Sequence, residues 1–524
     1  MMRSAAALLL CLFAYQSCAE PGRACRNVPG DPGYPNAAAW NAFNATISGR
    51  LVSALPSAKF CADRGSCTDA EWSSSLFRNT IPGAMNQAAV TFASRHNLRV
   101  AIKSSGHDYL GRSTAPQSLL IHTSKLNSIS FTDKFFVGTH NMGAAVTVGS
   151  GVHMNDLYQQ AKANGRISVG GTAATVCAGG GYLQGAGHSA LSPTFGLGAD
   201  NVFEFQIVVA SGELIKVNNI TNSDRNILCP AWWGAGSWGV IVSATLRTFP
   251  TFNSTAAVIT LSATDNIAMA ALAALHAKHI FDLDATRSGQ YFYLFRDPAS
   301  TASTMTLYSF MINQTVVQSE AIFAPFLTAA QGLPNITIAS STYTSALIND
   351  LLFMADDSVG LNVALGSRLI PVTTYKNSPE TVGKVYQQLL DGGALEILGH
   401  LVAGGQVSDN AHIDSAVTPA WRTAKTHIIL VNQWIDSMPL DQIDATRSLF
   451  KNAQLPILEQ LSGPNAGAYS NEADVMEADF QTTFFGPNYE KLSAIKSKYD
   501  PNDLFIVGAG VGSERWDEWG LCPV

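Results

Sequence analysis

Two glycine-rich loops carry the residues best suited to chemistry. The first, Lys103 to Arg112 (KSSGHDYLGR), holds His107 between Gly106 and Asp108. The second, Val169 to Gly187 (VGGTAATVCAGGGYLQGAG), holds Gly179, Gly180 and Gly181 in a row. Glycine lets a backbone approach a ligand closely and turn its N–H groups towards an anion. Together the loops suit a pyrophosphate and a flat ring. Taken singly, each has a plainer reading: His107 as a hydrogen-bonded loop histidine, the triple glycine as a tight turn. A formal dinucleotide match, Gly234 to Gly239 (GAGSWG), fails on context, because strand-like β-branched residues follow where a Rossmann loop must open a helix. There is no P-loop, HExxH helix, CxxC pair or GxSxG elbow. Hydrolase and zinc readings lose their usual support, and no metal ligands are expected.

The elements that must position these loops mix helices and strands throughout, which predicts an α+β fold. An amphipathic helix over Pro82 to His96, with Met85, Ala89, Phe92 and Ala93 on one face, leads into a strand at Leu98 to Ile102 that feeds the first loop. Strands at Ser118 to Ile121 and Ala144 to Val148 and a helix at Met154 to Asn164 precede the second loop. A hairpin follows, Asn201 to Val209 with Leu214 to Val217 about Ser211 and Gly212, and then a strand within Gly239 to Phe249. Beyond Pro250, helices near Asn266 to His279, Val317 to Ala330 and Ser378 to Asp391 alternate with strands such as Gln290 to Phe295 and His427 to Trp434. A tail helix, Asn488 to Tyr499, precedes the apolar run Leu504 to Val507. The expected organisation is a leader over 1–19, a cysteine-containing region over 20–70 with one helix at Ala37 to Leu51, a first domain over 71–250, a second over 251–465 and a tail over 466–524.

Composition narrows the function. The chain has 524 residues, of which 47% are hydrophobic and 14% charged, so it is neither disordered nor a small stapled scaffold. A formal charge of −7 without basic clusters argues against a polyanionic partner such as nucleic acid. The apolar run Ala5 to Tyr15, with Ser17 and Ala19 as small residues before a cut, predicts a secretory signal peptide; a membrane anchor needs about 20 apolar residues. Cys25, Cys61, Cys67, Cys177, Cys229 and Cys522 would remain, in a compartment that favours disulfides, and the short loop Cys61 to Cys67 suggests the first pairing. N-glycosylation acceptors stand at Asn44, Asn219, Asn253, Asn313 and Asn335.

Several strings are specific. IKSSGHDYLGRST (Ile102 to Thr114) resembles the flavin-attachment loop of berberine-bridge-enzyme-like FAD-linked oxidases, members of the vanillyl-alcohol-oxidase superfamily. The resemblance continues through TVCAGGGYLQGAGHSALSPTFGLGADNV (Thr175 to Val202), WGVIVSATLRTFP (Trp238 to Pro250), YSNEAD (Tyr469 to Asp474), FFGPNYEKL and YDPNDLF, and looks most like the fungal branch. It implies a two-part FAD-binding domain of the PCMH type, a substrate domain with an antiparallel sheet backed by helices, and a C-terminal segment returning to the first domain. The implied activity is that of a secreted oxidase. A small alcohol, amine or sugar, in secondary metabolism, would give hydride to FAD, and molecular oxygen would leave as hydrogen peroxide. The alternatives are a dehydrogenase with another acceptor and a binding protein without turnover.

Position by position, the resemblance implies that His107 bonds covalently to the flavin. Ser104, Ser105, Gly106, Asp108 and Tyr109 would surround the pyrophosphate, and Thr175, Val176, Gly179, Gly180 and Gly181 would lie beside the isoalloxazine. Val240 and Val242 would flank the cofactor on a strand, and Asn488 and Tyr489 would return to it from the tail. Some relatives add a cysteinyl link two residues before the Thr-Val pair, but that position is Ala173, so a single histidyl bond is expected; Cys177 nearby reads equally as a buried loop cysteine or a disulfide partner. Where several plant members have a tyrosine base, this chain has Glu472, whose partial burial would raise its pKa and make it a proton acceptor. Asp409 is a second candidate base, and Tyr469 and Asn471 would position the base or the flavin. The stretch from Cys67 to Thr80 is also shorter than in most members.

Overall fold

A computed structural model describes residues 24–52, 68, 70, 71, 74, 86–220, 236–353, 359 and 361–524. The leader and the Cys61–Cys67 loop lie outside them. Helix α1 (Ala37–Thr46) starts where the Asn36 side chain accepts from the Ala39 N–H. It stops before the expected Leu51 because Ser48 and Gly49 take positive φ values of 57° and 75°. Phe43 of α1 stacks on Phe92 of α2 (Asn86–Arg95) at 4.3 Å, fixing the N-terminal region against the first sheet elements. Strands β1 (Arg99–Lys103) and β2 (Ser118–His122) pair in parallel.

An antiparallel sheet of five strands, ordered β3-β4-β8-β6-β7, follows. It joins β3 (Ile129–Val137), β4 (His140–Gly149), β6 (Val202–Val208), β7 (Leu214–Val217) and β8 (Val240–Arg247). Two short strands, β5 (Arg166–Ile167) and β9 (Phe249–Pro250), pair separately, and helix α3 (Met154–Ala163) buries Met154, Leu157, Tyr158 and Ala161.

From Asn253 the chain builds a second, seven-stranded antiparallel sheet, ordered β13-β10-β12-β11-β15-β16-β14. Its strands are β10 (Asn253–Ala263), β11 (Gly289–Arg296), β12 (Ser303–Ile312), β13 (Ile336–Leu347), β14 (Asn362–Pro371), β15 (Glu396–Leu401) and β16 (Ala424–Trp434). Helices α4 (Asn266–His279), α5 (Val316–Gln331) and α6 (Pro379–Asp391) back one face. Helix α6 approaches α4 so closely at Gly383 that a Cβ there would sit 2.2 Å from the Ala270 carbonyl oxygen.

Strand alternation sorts the side chains. Phe292 and Leu294 of β11, Ile397 and Leu401 of β15, and Ile428 and Leu430 of β16 join the helices in one core. Tyr291, Tyr293, His400 and His427 take the opposite face.

The tail closes the fold. Helix α7 (Tyr489–Tyr499) places Lys496 in full burial, where its ammonium donates to the carbonyls of Ser237 at 2.6 Å and Phe505 at 2.7 Å and pairs with Asp500 at 2.5 Å. The only disulfide among the described residues joins Cys25 to Cys522, so the pairing links the two ends of the chain. Among the described residues no helix is long and apolar enough to cross a membrane.

Candidate active site

The two glycine loops meet at one cavity of about 260 Å³. Ser104, Ser105, Gly106, His107, Asp108 and Tyr109 line it from the first loop, and Val176, Gly180 and Gly181 from the second. A Cβ on Gly180 would lie 2.6 Å from Ser104 Oγ, so glycine here leaves room for the serine of the first loop. His107 Nε2 lies 2.6 Å from Thr175 Oγ1, joining the loops through the residue expected to carry the cofactor. Asp108 accepts from Arg112 Nε at 2.9 Å, Arg112 reaches Asn471 Oδ1 at 3.0 Å, and Asn471 donates to the Tyr469 hydroxyl at 2.8 Å. That chain ties the first loop to the tail segment.

The remaining expected positions sit elsewhere. Gly179 packs on the strand backbone, its Cβ position 3.0 Å from the Gly149 carbonyl oxygen. Val240 and Val242 belong with the α1–α2 core, and the alternation of β8 presents Ile241 to the cavity instead. Asn488 donates to the Val417 carbonyl at 3.1 Å and Tyr489 donates to Glu514 at 2.5 Å; neither lines the cavity. Asp409 is half-exposed, is paired with Arg287 at 2.8 Å and does not line the cavity.

Glu472 is at the cavity, on the short turn Ser470–Glu472, with 23% of its side chain exposed. Three imidazoles surround it. Its Oε2 lies 3.1 Å from His188 Nε2, 3.5 Å from His427 Nδ1 and 3.9 Å from His400 Nδ1. His400 and His427 are direct partners on β15 and β16, and Tyr291 of β11 is the partner of His400 on the other side, so strand register sets the row.

Electrostatics reverse one expectation. Burial favours the neutral acid at Glu472, but the charge and hydrogen bond of His188 oppose it and hold the carboxyl below its usual range. The carboxylate is therefore ionised, where partial burial alone predicted a raised pKa. Burial, then the nearby His188, pushes His400 down to about 3 against the opposing pull of Glu472, and burial holds His427 well below its usual value. Burial raises Tyr469 and Tyr291, which stay phenols. Cys177 is buried, unpaired and pushed up to about 12 by desolvation, an inert thiol on the cavity wall.

Sequence reasoning missed His188, Tyr291, Tyr293, His400 and His427. His188 had a local signal, standing at the end of the second loop in GAGHS. The others had none, because they become neighbours only through strand pairing.

Comparison with known proteins agrees with this geometry. The FAD binding domain family matches residues 84–218, and the berberine and berberine-like family matches 468–512. An FAD-linked oxidoreductase of Arthroderma benhamiae is 34% identical over 99% of this chain and 100% of the relative. The chain belongs to the berberine-bridge-enzyme-like FAD-linked oxidoreductases. A flavin-dependent oxygenase of Aspergillus ustus is 32% identical over 92% of this oxidoreductase and 98% of its own length. Among solved structures, a VAO-type flavoprotein of Myceliophthora thermophila superposes with a TM-score of 0.86 at 25% identity, covering 96% of this chain and 100% of its own. A single-site variant of berberine bridge enzyme shares the fold, with a TM-score of 0.69 at 17% identity over 90% of this chain and 99% of its own. The cofactor of this oxidoreductase is FAD. The residues fit it: serine hydroxyls, an imidazole and glycines of both loops line one cavity.

Proposed function

We propose that this FAD-linked oxidoreductase is a secreted oxidase of a small alcohol, amine or sugar, with FAD attached through His107 and a proton acceptor formed by Glu472 and His188. The observation that carries the reading is that Glu472 and the His107 loop line the same cavity. FAD, when bound, supplies the hydride acceptor at the substrate carbon and returns the electron pair to oxygen, releasing hydrogen peroxide.

The chain's own residues do the rest. Ser104, Ser105 and the loop backbone line the cavity and would hold the anionic part of the cofactor, and Thr175, 2.6 Å from Nε2, would orient the His107 ring. Glu472, held as a carboxylate, accepts the proton of a substrate hydroxyl, which becomes strongly acidic as hydride leaves carbon. His188 holds the carboxylate in place through its 3.1 Å contact. Tyr469, fixed by Asn471, remains protonated and presents a hydroxyl to the cavity. The Cys25–Cys522 disulfide supports an oxidising compartment.

Acid precipitation tests the attachment: flavin should stay with the wild-type chain and leave the His107→Ala chain, and free flavin from the wild type would exclude the covalent bond. Peroxide release, screened over sugars, alkaloid amines, phenolic alcohols and polyketides, identifies the substrate class. With that substrate, Glu472→Gln should slow anaerobic flavin reduction by roughly 10²–10⁴-fold. An unchanged rate removes Glu472 from proton transfer.

A further inference from the structure

We propose that His188, His400, His427 and Glu472 form a binding site for a zinc-class divalent transition metal, and that metal there withdraws Glu472 from proton transfer. The sequence carried no metal motif, because the four donors come from a loop of the first half, two strands of the second sheet and the tail. The fold brings one ligand atom from each to within 4.8 Å of the others.

Distances support coordination geometry. Zinc bonds to imidazole nitrogen and carboxylate oxygen at about 2.0–2.1 Å, so two ligands of a tetrahedral site stand roughly 3.3–3.4 Å apart. The three imidazole nitrogens lie 3.1, 3.5 and 3.9 Å from Glu472 Oε2, which brackets that spacing. The ring centroids are 5.0 Å apart for His188 and His400, 5.5 Å for His400 and His427, and 5.8 Å for His188 and His427. The three rings thus converge on the carboxylate.

Hydrogen bonding does not account for the cluster. His188 Nε2 makes a hydrogen bond to Glu472, but His400 Nδ1 and both nitrogens of the fully buried His427 have no hydrogen-bond partner. Leaving buried polar atoms unsatisfied is costly, and a metal bonded to Nδ1 of each ring would satisfy two of them. Three imidazoles and one carboxylate suit zinc, cobalt or nickel, whereas calcium and magnesium require mostly oxygen ligands. Three of the four donors, His188, His400 and Glu472, line the cavity. Metal binding stands independently of the proposed reaction; only the effect on turnover rests on the proton role of Glu472.

Chelator-treated holoenzyme is equilibrated with zinc, desalted, and assayed for metal per flavin; separately it is loaded with cobalt(II) and its visible spectrum recorded at wavelengths beyond flavin absorption. One zinc per chain and tetrahedral cobalt bands are expected, with at least a tenfold loss of affinity in both His427→Gln and His400→Gln. The flavin spectrum and melting temperature of each variant establish that it is folded. Substoichiometric zinc, absent cobalt bands, or full retention of metal by both folded variants would overturn the site. With the substrate found by the peroxide screen, zinc should slow flavin reduction at least tenfold, reversibly with chelator. Stoichiometric zinc with unchanged reduction would overturn the withdrawal of Glu472 while the binding result stands.

Discussion

The two faces of the seven-stranded sheet are built from the same strands and do opposite work. Towards the helices, β11, β15 and β16 send Phe292, Leu294, Ile397, Leu401, Ile428 and Leu430 into a dry core. Even the polar group there is completed: His276 Nε2 meets Gln290 Oε1 at 2.7 Å, and Gln290 passes a hydrogen bond to Ser309 at 2.8 Å. Towards the first half of the molecule, alternate residues of those strands present Tyr291, His400 and His427, whose row ends in imidazole nitrogens without partners beside an ionised carboxylate. A buried polar group with every partner in place adds to stability, and one left incomplete marks a place where a ligand, proton or metal is expected. The period of two lets one sheet hold both.

Substitutions on the two faces should separate accordingly. The largest stability effect is expected at Phe292, whose ring covers Gly399 so closely that a Cβ there would lie 1.8 Å from it. Phe292→Ala should cost about 3–5 kcal/mol in denaturant unfolding, with the rate per folded molecule preserved. Glu472→Gln should differ by losing rate in the folded protein. An unchanged rate per folded molecule in Glu472→Gln, or a lost one in Phe292→Ala, would break the comparison.

A smaller effect follows from pH. Burial pushes His276 down to about 4, so below pH 6.5 the unfolded chain binds a proton that the folded chain refuses. That contribution to stability is present at neutral pH and falls as pH drops from about 6.5 to 4, by about 3 kcal/mol in total. His276→Gln should flatten the acid side of a stability–pH curve over that window, and an unaltered slope would show that His276 titrates normally. The smallest effect is expected at Asp409, where an exposed pair with Arg287 is worth less than about 1 kcal/mol. Asp409→Asn should leave both the melting temperature and peroxide production unchanged, and a large loss of rate would return it to the site.

Much of the scaffold was legible along the chain. The helices near Asn266 to His279 and Val317 to Ala330, the hairpin about Gly212, and the strand ending in the His107 loop follow local periodicity and turn chemistry, and they form as expected. Faces were harder to read. Val240 and Val242 pack with the α1–α2 core while Ile241 lines the cavity, since on a strand one residue is the other side of the sheet. Asn488, Tyr489 and Asp409 lay near the right segments but turned to other partners.

The cofactor loops were legible in one dimension, because SSGHDY and the triple glycine are each a short unbroken string whose resemblance to a family can be seen locally. The sequence also placed Glu472 in the tail. What surrounds that carboxylate is set by packing between distant segments. His188, His400 and His427 are separated by 212 and 27 residues and meet because antiparallel register aligns His400 with His427, while the returning tail sets Glu472 against His188. The environment then lowered a pKa that burial alone would have raised. No local pattern encodes such a meeting, since it depends on strand order and on the packing of three distant segments.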